Sequence, residues 1–527
     1  MPTLNWIGKD KVINHHQDVP FRVLDQQYGF TPDGKQEAPV NSGNLIIHGD
    51  NLEALKALLP QYEAKVKCIY IDPPYNTGNE SWIYNDSVND PKIKKWLHQV
   101  VGKEGEDLSR HDKWLCMMYP RLVLLQKLLS LDGAIFISID DNEQANLILL
   151  LNEIFGPANF VSTLIWQKKF APQNDTKFID TSHDYIHVYA KNILKLRLNL
   201  LPRTELMNSR YKNPDNDPRG PWTSDNPLRK EFREYAYYPI VIPSGKTVVP
   251  PTGSSWRFNK EELPRLISEN RLWFGKDGNG VPRIKRFLSE VKDGIIPQTL
   301  LFHNEVGNTQ ESKKEIIRIM EKSVFETPKP VRLIDRFIDI CADQSSLILD
   351  SYAGSGTTAH AVLNMNKQDG GNRKFILVEM EDYAETITAE RVKRVIYGYA
   401  DVEGTGGSFD YYELGPPLFD DSGNLNDQVP VNRIREYIWY SETRSAFNAL
   451  TEDQLQNPYF LGIKEDTGYY FYYEPQQVTT LDYDFLGTIY IKAEQYVVYA
   501  DNCLLSKTFL QNNNIIFKKI PRDISRL

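Results

Sequence analysis

Runs of apolar residues that end abruptly at an acid recur along the chain. The residues from Val66 to Ile71 are mainly apolar or β-forming, and Asp72, Pro73 and Pro74 follow at once. Because proline lacks the amide hydrogen that a sheet requires, the pattern predicts a buried strand that the chain leaves at Asp72. Similar apolar runs predict further strands at 44–48, 133–139, 346–349 and 374–378.

Apolar positions at helical spacing lie between these strands. Leu52, Leu55, Leu58 and Leu59 form one set, and the segment 112–130 carries another. Strands that alternate with amphipathic helices predict an α/β fold around a largely parallel sheet. Ligands of such sheets bind in the crevice at the carboxyl ends of the strands. The acids and loops that directly follow the strands are therefore the candidate site residues.

The segment Asp72-Pro-Pro-Tyr75 is the first candidate site. The exocyclic amine of a nucleobase attacks a methyl donor only if its N–H bonds are directed at acceptors, since its lone pair is delocalised into the ring. The prolines Pro73 and Pro74 fix the backbone, so we predict that the Asp72 carboxylate and the Pro73 carbonyl are those acceptors. Tyr75 is predicted to stack on the flipped base. The alternative is an ordinary exit loop without chemistry.

A glycine-containing loop, Asp350-Ser-Tyr-Ala-Gly-Ser-Gly-Thr-Thr358, is the second candidate site. Glycines let a backbone approach a nucleotide closely, but this loop has neither the third glycine of a dinucleotide fingerprint nor the lysine of a phosphate loop. S-adenosylmethionine, which has a ribose and an adenine but no phosphate, fits this pattern, and Glu379 is placed to bind its ribose. The alternative is a helix-start loop without a ligand. The predicted cofactor contacts are Asp350, Tyr352, Ala353, Gly354, Ser355, Gly356, Thr357 and Glu379.

Asp50 follows the strand predicted at 44–48 and precedes a predicted helix. It is predicted either to cap that helix or to accept a hydrogen bond from the cofactor's adenine amine.

The charge of the chain is unevenly distributed. The formal net charge is −9, yet residues 166–300 contain 23 Lys and Arg against 15 Asp and Glu. Aromatic residues are interleaved with these basic residues, which predicts a region that receives a polyanion and recognises its sequence. The alternatives are a chance charge distribution and a small aromatic core. The predicted nucleic-acid contacts are Lys168, Lys169, Arg219, Trp222, Arg283 and Arg286.

Composition limits the remaining possibilities. There is no run of 18 apolar residues and no apolar signal core near Met1, and the four cysteines are far apart. We therefore expect a cytoplasmic protein without disulfides. The alternating Asp and Asn residues around Pro214 lack the bidentate glutamate of a calcium loop. We predict no metal site.

Together the two candidate sites resemble the DNA amino-methyltransferases, in the motif order of their permuted β group. Further segments resemble the modification (Mod) subunits of type III restriction-modification systems: Gly49-Asp-Asn-Leu52, His111-Asp-Lys-Trp114, Ile137-Ser-Ile-Asp-Asp-Asn-Glu143, Asn216-Asp-Pro-Arg-Gly-Pro-Trp222 and Gly406-Gly-Ser-Phe-Asp-Tyr-Tyr-Glu-Leu414. The resemblance covers roughly residues 44–414. Ser351-Tyr352 departs from the family, which usually has Pro-Phe at these positions.

The resemblance implies a Rossmann-like, S-adenosylmethionine-dependent methyltransferase fold with permuted motif order. It also implies transfer to adenine N6 in duplex DNA, and a dimer with or without a restriction (nuclease-helicase) subunit. Lys329, in Phe325-Glu-Thr-Pro-Lys-Pro330, is expected near the methionine carboxylate. The predicted segments are an N-terminal arm at 1–43, a catalytic half at 44–165, a target-recognition region at 166–322, a cofactor-binding half at 323–415 and a small C-terminal domain at 416–527.

Several alternatives to this function remain open at the level of sequence. The target amine is cytosine N4 in one of them, and the enzyme is solitary in another. A DNA-binding module that kept the fold but lost the chemistry and an RNA methyltransferase are the rivals from other classes. The intact acid, prolines and aromatic residue of 72–75 favour an enzyme.

Overall fold

Two compact units make up the chain. The computed structural model describes residues 4–77, 95, 110–171, 178–447 and 456–526. One unit consists of Met1–Asn199 and Gln298–Leu527, and the other of Leu200–Pro297. None of the helices in these described ranges is long and apolar enough to cross a membrane.

A mixed sheet organises the first unit, and eleven of its strands lie in the described ranges. The six central strands run parallel to one another, and antiparallel strands flank them on both sides. From one edge to the other, the strands are Leu300–Leu301, Phe160–Gln167, His183–Ala190, Leu129–Ile139, Val66–Ile71, Leu347–Asp350, Lys374–Glu379, Leu45–His48, Phe409–Pro417, Arg22–Thr31 and Gly34–Gln36.

The central strands are buried because helices cover the sheet. Val66–Ile71 and Lys374–Glu379 are almost entirely buried, as expected for apolar strands of a parallel sheet. Each of the five strands predicted from apolar runs is present, with bounds that differ from the prediction by a few residues at most. This confirms the predicted α/β, Rossmann-like fold.

Strand order brings the two candidate sites to one place. Val66–Ile71 pairs in parallel with Leu347–Asp350, with Cys68 opposite Ile348. Lys374–Glu379 pairs with the other side of Leu347–Asp350. Since parallel neighbours end at the same edge of a sheet, Asp72, Asp350 and Glu379 leave the sheet side by side.

Helices of the first unit lie between and beside these strands. Asn51–Tyr62 and Arg110–Leu128 bury most of their apolar residues in the main core, and Pro60 and Pro120 lie inside them. The remaining α-helices in the described part of this unit are Lys9–Val12, His15–Asp18, Gln144–Phe155, His303–Val306, Thr309–Met320, Val331–Cys341, Thr357–Asp369, Glu390–Tyr397, Val431–Thr443, Tyr483–Leu486 and Lys507–Asn512, with a π-helical turn at Ala384–Ala389.

The first unit takes in both ends of the chain. The strand Arg22–Thr31 pairs with Phe409–Pro417 and so extends the large sheet, although the sequence predicts an arm at 1–43. Near the other end, a sheet of the strands Phe460–Lys464, Thr467–Phe471, Gln495–Ala500 and Ile515–Lys519 packs with the helix Val431–Thr443.

The second unit is built from short strands around a small aromatic core. Its buried apolar residues include Tyr238, Trp256 and Phe258. The predicted recognition region 166–322 is longer than this unit, because its two ends form parts of the large sheet and its helices. The strands are Trp222–Asp225, Leu228–Arg229, Ile240–Val241, Thr247–Val248, Ser255–Trp256, Leu272–Trp273 and Arg283–Phe287, and the helices are Glu205–Asn208 and Leu263–Ser268.

Candidate active site

A cavity of about 520 Å³ lies where the two candidate sites meet in the first unit. Its volume is within the range of pockets that bind small molecules and cofactors. Residues of both sites line it, together with side chains from neighbouring helices and strands. The predicted site residues on its wall are Asp72, Pro73, Pro74, Tyr75, Lys168, Lys169, Lys329, Tyr352, Gly354 and Glu379.

Asp72 forms an ion pair inside the cavity. Its Oδ2 lies 2.5 Å from Nζ of Lys329, and its Oδ1 is buried with no hydrogen-bond partner among the described residues. The same lysine lies 5.1 Å from the ring centre of Tyr75. Lys329, predicted to pair with a cofactor carboxylate, thus forms an ion pair with Asp72 in this structure, while one acceptor oxygen of Asp72 stays available.

Tyr75 presents its ring to the cavity and its hydroxyl to a buried acid. The hydroxyl donates to Oδ2 of Asp184 over 3.4 Å, and Oδ1 of Asp184 accepts from Nζ of Lys168 at 2.6 Å. Burial raises the pKa of both Tyr75 and Asp184. Tyr75 is therefore neutral at physiological pH.

Asp350 forms hydrogen bonds within its own loop, the second candidate site. Its carboxylate accepts hydrogen bonds from the amide of Tyr352 at 3.0 Å and the hydroxyl of Thr358 at 2.6 Å. Burial raises the pKa of Asp350 to about 7. It does not line the cavity, so its contribution is to hold the loop in shape.

Two residues of this loop have backbone conformations that favour glycine. Gly354 and Gly356 have φ angles of +51° and +78°. A Cβ atom on Gly354 would lie 3.0 Å from Cζ of Phe325, and one on Gly356 would lie 3.0 Å from the carbonyl of Thr388. Glycine at these two positions is therefore favoured by the backbone conformation and by the packing of Phe325 and Thr388, and the close approach to a cofactor stays a prediction.

Glu379 joins the loop to the cavity wall. Its Oε2 accepts a hydrogen bond from the amide of Gly354 at 2.8 Å, and its Oε1 accepts one from the amide of Glu381 at 3.0 Å. Burial raises the pKa of Glu379 to about 7. A carboxylate at this position can accept further hydrogen bonds from a ligand in the cavity.

Several predicted cofactor contacts do not line the cavity. Asp50 caps its helix by accepting from the amides of Leu52 and Glu53, and its Oδ2 also accepts from Arg121 at 3.2 Å. The structure thus contains the predicted cap, and the hydrogen bond to the cofactor's adenine amine stays a prediction. The other predicted contacts away from the cavity wall are Asp350, Ala353, Ser355, Gly356 and Thr357.

Ser355 and Thr357 point to a buried arginine instead. Nη1 of Arg391 donates to Oγ of Ser355 at 3.0 Å and to Oγ1 of Thr357 at 2.8 Å. The arginine is 1% exposed. These two hydrogen bonds therefore anchor the loop to Arg391.

The structure adds site residues that sequence reasoning missed. Asn51 lines the cavity, donates to the carbonyl of Ser351 at 2.6 Å, and has a buried Oδ1 without a partner among the described residues. The position of Asn51 in the Gly49-Asp-Asn turn, directly after a strand, could have predicted it as a site residue. Phe325, the first residue of the predicted segment Phe325-Glu-Thr-Pro-Lys-Pro330, lines the cavity as well. Arg121 and Asp184 also line it, and neither residue belongs to a motif.

The predicted nucleic-acid contacts fall into two groups. Lys168 and Lys169 lie on the cavity wall. Four belong to the second unit, where Trp222 is 5% exposed and donates from its indole to Asp215 at 2.8 Å. Trp222 is thus part of the unit's interior, which corrects the prediction that it contacts nucleic acid. Of the remaining three, Arg219 pairs with Asp217 at 2.7 Å, Arg286 pairs with Asp225 and is 61% exposed, and Arg283 donates to the carbonyl of Ser224 at 3.3 Å.

Comparison with known proteins identifies the family. The family model described as DNA methylase matches residues 66–390, which include both candidate sites. The chain belongs to the DNA methylase family. The motif order and the two candidate sites of the chain agree with that membership.

Curated relatives of the chain include restriction-modification proteins. The chain is 36% identical to the type III restriction-modification enzyme StyLTI Mod subunit of Salmonella typhimurium, over 72% of this chain and 58% of that protein. It is 32% identical to the EcoP15I Mod subunit of Escherichia coli, over 72% and 64%. It is also 32% identical to the type II methyltransferase M.KpnI of Klebsiella pneumoniae, over 68% and 85%. The chain thus spans about six tenths of the length of the two Mod subunits.

Proposed function

We propose that this DNA methylase transfers a methyl group from S-adenosylmethionine to adenine N6 in duplex DNA, at a base flipped out of the helix. The observation that carries the proposal is the shared cavity. The Asp72-to-Tyr75 segment forms one wall, and the glycine loop with Glu379 forms another.

The cavity fits the proposed cofactor. Gly354 keeps the loop free of a side chain, Tyr352 offers an aromatic wall, and Glu379 offers a carboxylate for ribose hydroxyls. The Oδ1 of Asn51, which has no partner within the described ranges, offers a buried acceptor for an amine. When bound, S-adenosylmethionine supplies a methyl group made electrophilic by its sulfonium sulfur.

The residues of the first site suit an exocyclic amine. The available Oδ1 of Asp72 accepts one N–H of the amine, and the carbonyl of Pro73 accepts the other, which favours a tetrahedral nitrogen with an available lone pair. Tyr75 stacks on the base and limits its orientation. Lys329 contacts Asp72 and lies over the ring of Tyr75, and it can pair with a cofactor carboxylate.

The biological setting is also a proposal. The names of two relatives support a modification subunit of a type III system, which would act as a homodimer with or without a restriction subunit. The second unit, Leu200–Pro297, is proposed to read the target sequence through exposed basic residues such as Arg286. A cytoplasmic location stays a prediction. M.KpnI, a type II methyltransferase, supports a solitary enzyme as the second candidate.

The proposal is tested by incubating the protein with labelled S-adenosylmethionine and unmethylated genomic DNA, and by identifying the labelled nucleoside. We expect label in N6-methyladenine, and a loss of about 100- to 1,000-fold or more in Asp72→Ala, because an aligned acceptor of the amine is removed. Asp141→Ala is the matched control, since that aspartate is exposed and bonds only to Tyr185 among the described side chains.

The other outcomes point to the alternatives. Label in N4-methylcytosine would show that the target base is cytosine and not adenine. Preferential labelling of structured RNA in competition with duplex DNA would indicate an RNA methyltransferase. Calorimetric binding of the cofactor without any labelled product would support a binding module or an enzyme that needs a partner.

A further inference from the structure

Three side chains from two of the sequence motifs lie outside the cavity wall. His111 and Trp114 belong to one motif, and Glu143 ends the other. None of the three lines the cavity. Trp114 and Glu143 nevertheless bond to the segment that follows Asp72, and His111 bonds to Glu143. These contacts indicate a role other than binding a ligand.

Glu143 is a buried carboxylate with three donors around it. It is 0% exposed. Oε1 accepts from Nδ2 of Asn76 and lies 2.7 Å from Nδ1 of His111, while Oε2 accepts from Asn146 at 2.7 Å. Because a buried charge is costly unless hydrogen bonds compensate it, this carboxylate holds its three donors firmly in place.

Asn76 is the part of this arrangement that belongs to the catalytic segment. It lies one residue after Tyr75, is fully buried and has a φ angle of +59°, a conformation that asparagine tolerates better than most residues. Its amide also donates to the carbonyl of Arg110 at 3.2 Å. The turn that follows Tyr75 is thus tied to the start of the helix Arg110–Leu128.

Trp114 makes a second connection from the same helix. Its indole N–H donates to the carbonyl of Pro74 at 2.7 Å, and the residue is 0% exposed. The segment between Asp72 and Thr77 is therefore held at Pro74 and at Asn76, on either side of Tyr75. Two fixed points around one residue restrain the backbone position from which its ring projects.

We propose that Glu143 is a positioning residue for methyl transfer, acting through Asn76, and that Trp114 supports it through Pro74. Glu143 thereby positions Asp72 and Tyr75 for contact with the base, although it touches neither the base nor the cofactor. This assignment rests on the proposed function. Misplacement by about 1 Å can cost about 100-fold in rate, so the loss of such a contact is measurable.

The test compares single-turnover methyl transfer with cofactor affinity in the full chain. For Glu143→Ala we expect the rate to fall about 10- to 100-fold, while the dissociation constant of S-adenosylmethionine changes less than about 3-fold. Glu143→Gln keeps an oxygen for Asn76 and should recover most of the rate. Trp114→Phe keeps the ring but loses the donor to Pro74, and should lower the rate in the same selective way.

A second readout needs no activity. Hydrogen exchange of the free protein should become faster at residues 75–77 in Glu143→Ala. Asn152→Ala is the control, because Asn152 is on the same helix as Asn146. The variant loses one side-chain hydrogen bond, from Tyr189, which is far from the catalytic segment in sequence. That variant should leave both the exchange at 75–77 and the rate unchanged.

A failure of the positioning role can be distinguished from a failure of the proposed function. If the wild-type protein transfers no methyl group, the proposed function is wrong, and the exchange experiment still tests the contact. If the wild type is active and Glu143→Ala matches it in rate and exchange, the positioning role is wrong. A variant whose melting temperature and cofactor affinity fall together with its rate would indicate a general structural role and overturn the assignment.

Discussion

Aspartate, lysine and tryptophan occur together in both units of the chain, but their surroundings differ. In the first unit, Asp72, Lys329 and Trp166 line a cavity, and one carboxylate oxygen of Asp72 has no partner among the described residues. Lys329 lies 5.9 Å from the ring centre of Trp166. These groups are held in place, yet they keep an unused acceptor that a ligand can meet.

In the second unit the same residue types form a closed network. The side chain of Lys285 is 0% exposed and bonds to Asp215 and Asp217, and it lies 5.2 Å from the ring centre of Trp222. The guanidinium of Arg219 holds the pKa of Asp217 well below its usual range. The network satisfies its own charges and so serves the stability of the unit. Residue type and spacing alone do not distinguish a site from such an interior.

The largest expected effect concerns the glycine loop of the first unit. Gly354→Val should abolish cofactor binding, because a β-branched residue is strained at a φ angle of +51° and its Cβ would press on Phe325. Isothermal titration calorimetry with S-adenosylmethionine measures this. Gly370→Ala, also at positive φ but with open space around it, is the control. Unchanged affinity in Gly354→Val would show that the loop does not hold the cofactor.

Breaking the network of the second unit should cost stability. Lys285→Met leaves the carboxylates of Asp215 and Asp217 without their buried partner, and the loss of one member of a buried pair costs about 3–5 kcal/mol. Hydrogen exchange of the strands Trp222–Asp225 and Arg283–Phe287 measures the local effect. Arg286→Gln, exposed in the same strand, should cost less than about 1 kcal/mol. Equal exchange in both variants would contradict the structural role of Lys285.

Removing the ring of Tyr75 should affect turnover more than cofactor binding. We expect Tyr75→Ala to lower single-turnover methyl transfer about 10- to 100-fold, since base stacking is worth about 1–3 kcal/mol. The affinity for the cofactor should change only slightly. Tyr75→Phe keeps the ring and loses only a long bond to Asp184, so it should stay close to wild type. An equal loss of rate and affinity in Tyr75→Ala would contradict the stacking role.

The smallest effect is a pH dependence of cofactor affinity. Glu379 has a pKa of about 7 in the folded protein, raised by burial from its usual 4.5. Because the ionised form accepts ribose hydroxyls best, affinity should rise by up to about 10-fold between pH 6 and pH 8. Calorimetry at several pH values measures the rise, and Glu379→Gln should flatten it. A profile that remains equally steep in that variant would assign the titration to another group.

The raised pKa of Glu379 also predicts how the stability of the free protein depends on pH. Between the unfolded pKa near 4.5 and the folded value of about 7, the native state retains a proton that the unfolded chain releases. The contribution of Glu379 to stability is therefore fully present below this window and is lost as the pH rises through 7. Thermal unfolding of wild type and Glu379→Gln at several pH values checks the sign.

Much of the fold and part of the site were predictable from sequence. Apolar runs ending at Asp72, Asp350 and Glu379 predicted the strands, and the loop glycines marked positions where a side chain does not fit. Trp222 was misjudged because an aromatic residue beside basic ones suits both a contact surface and a small core. Arg121 and Asp184 were missed because neither residue belongs to a motif, although both line the cavity.

The sequence by itself determined where strands end, where backbone flexibility is needed, and which acids follow the strands, because these depend on neighbouring residues in the chain. Only the tertiary structure decided which partners those acids have. The parallel pairing of Val66–Ile71 with Leu347–Asp350 places the two loops around one cavity, and it brings Lys329 to Asp72. Glu143 reaches Asn76 in the same way, since a buried charge takes its donors from whichever elements pack beside it.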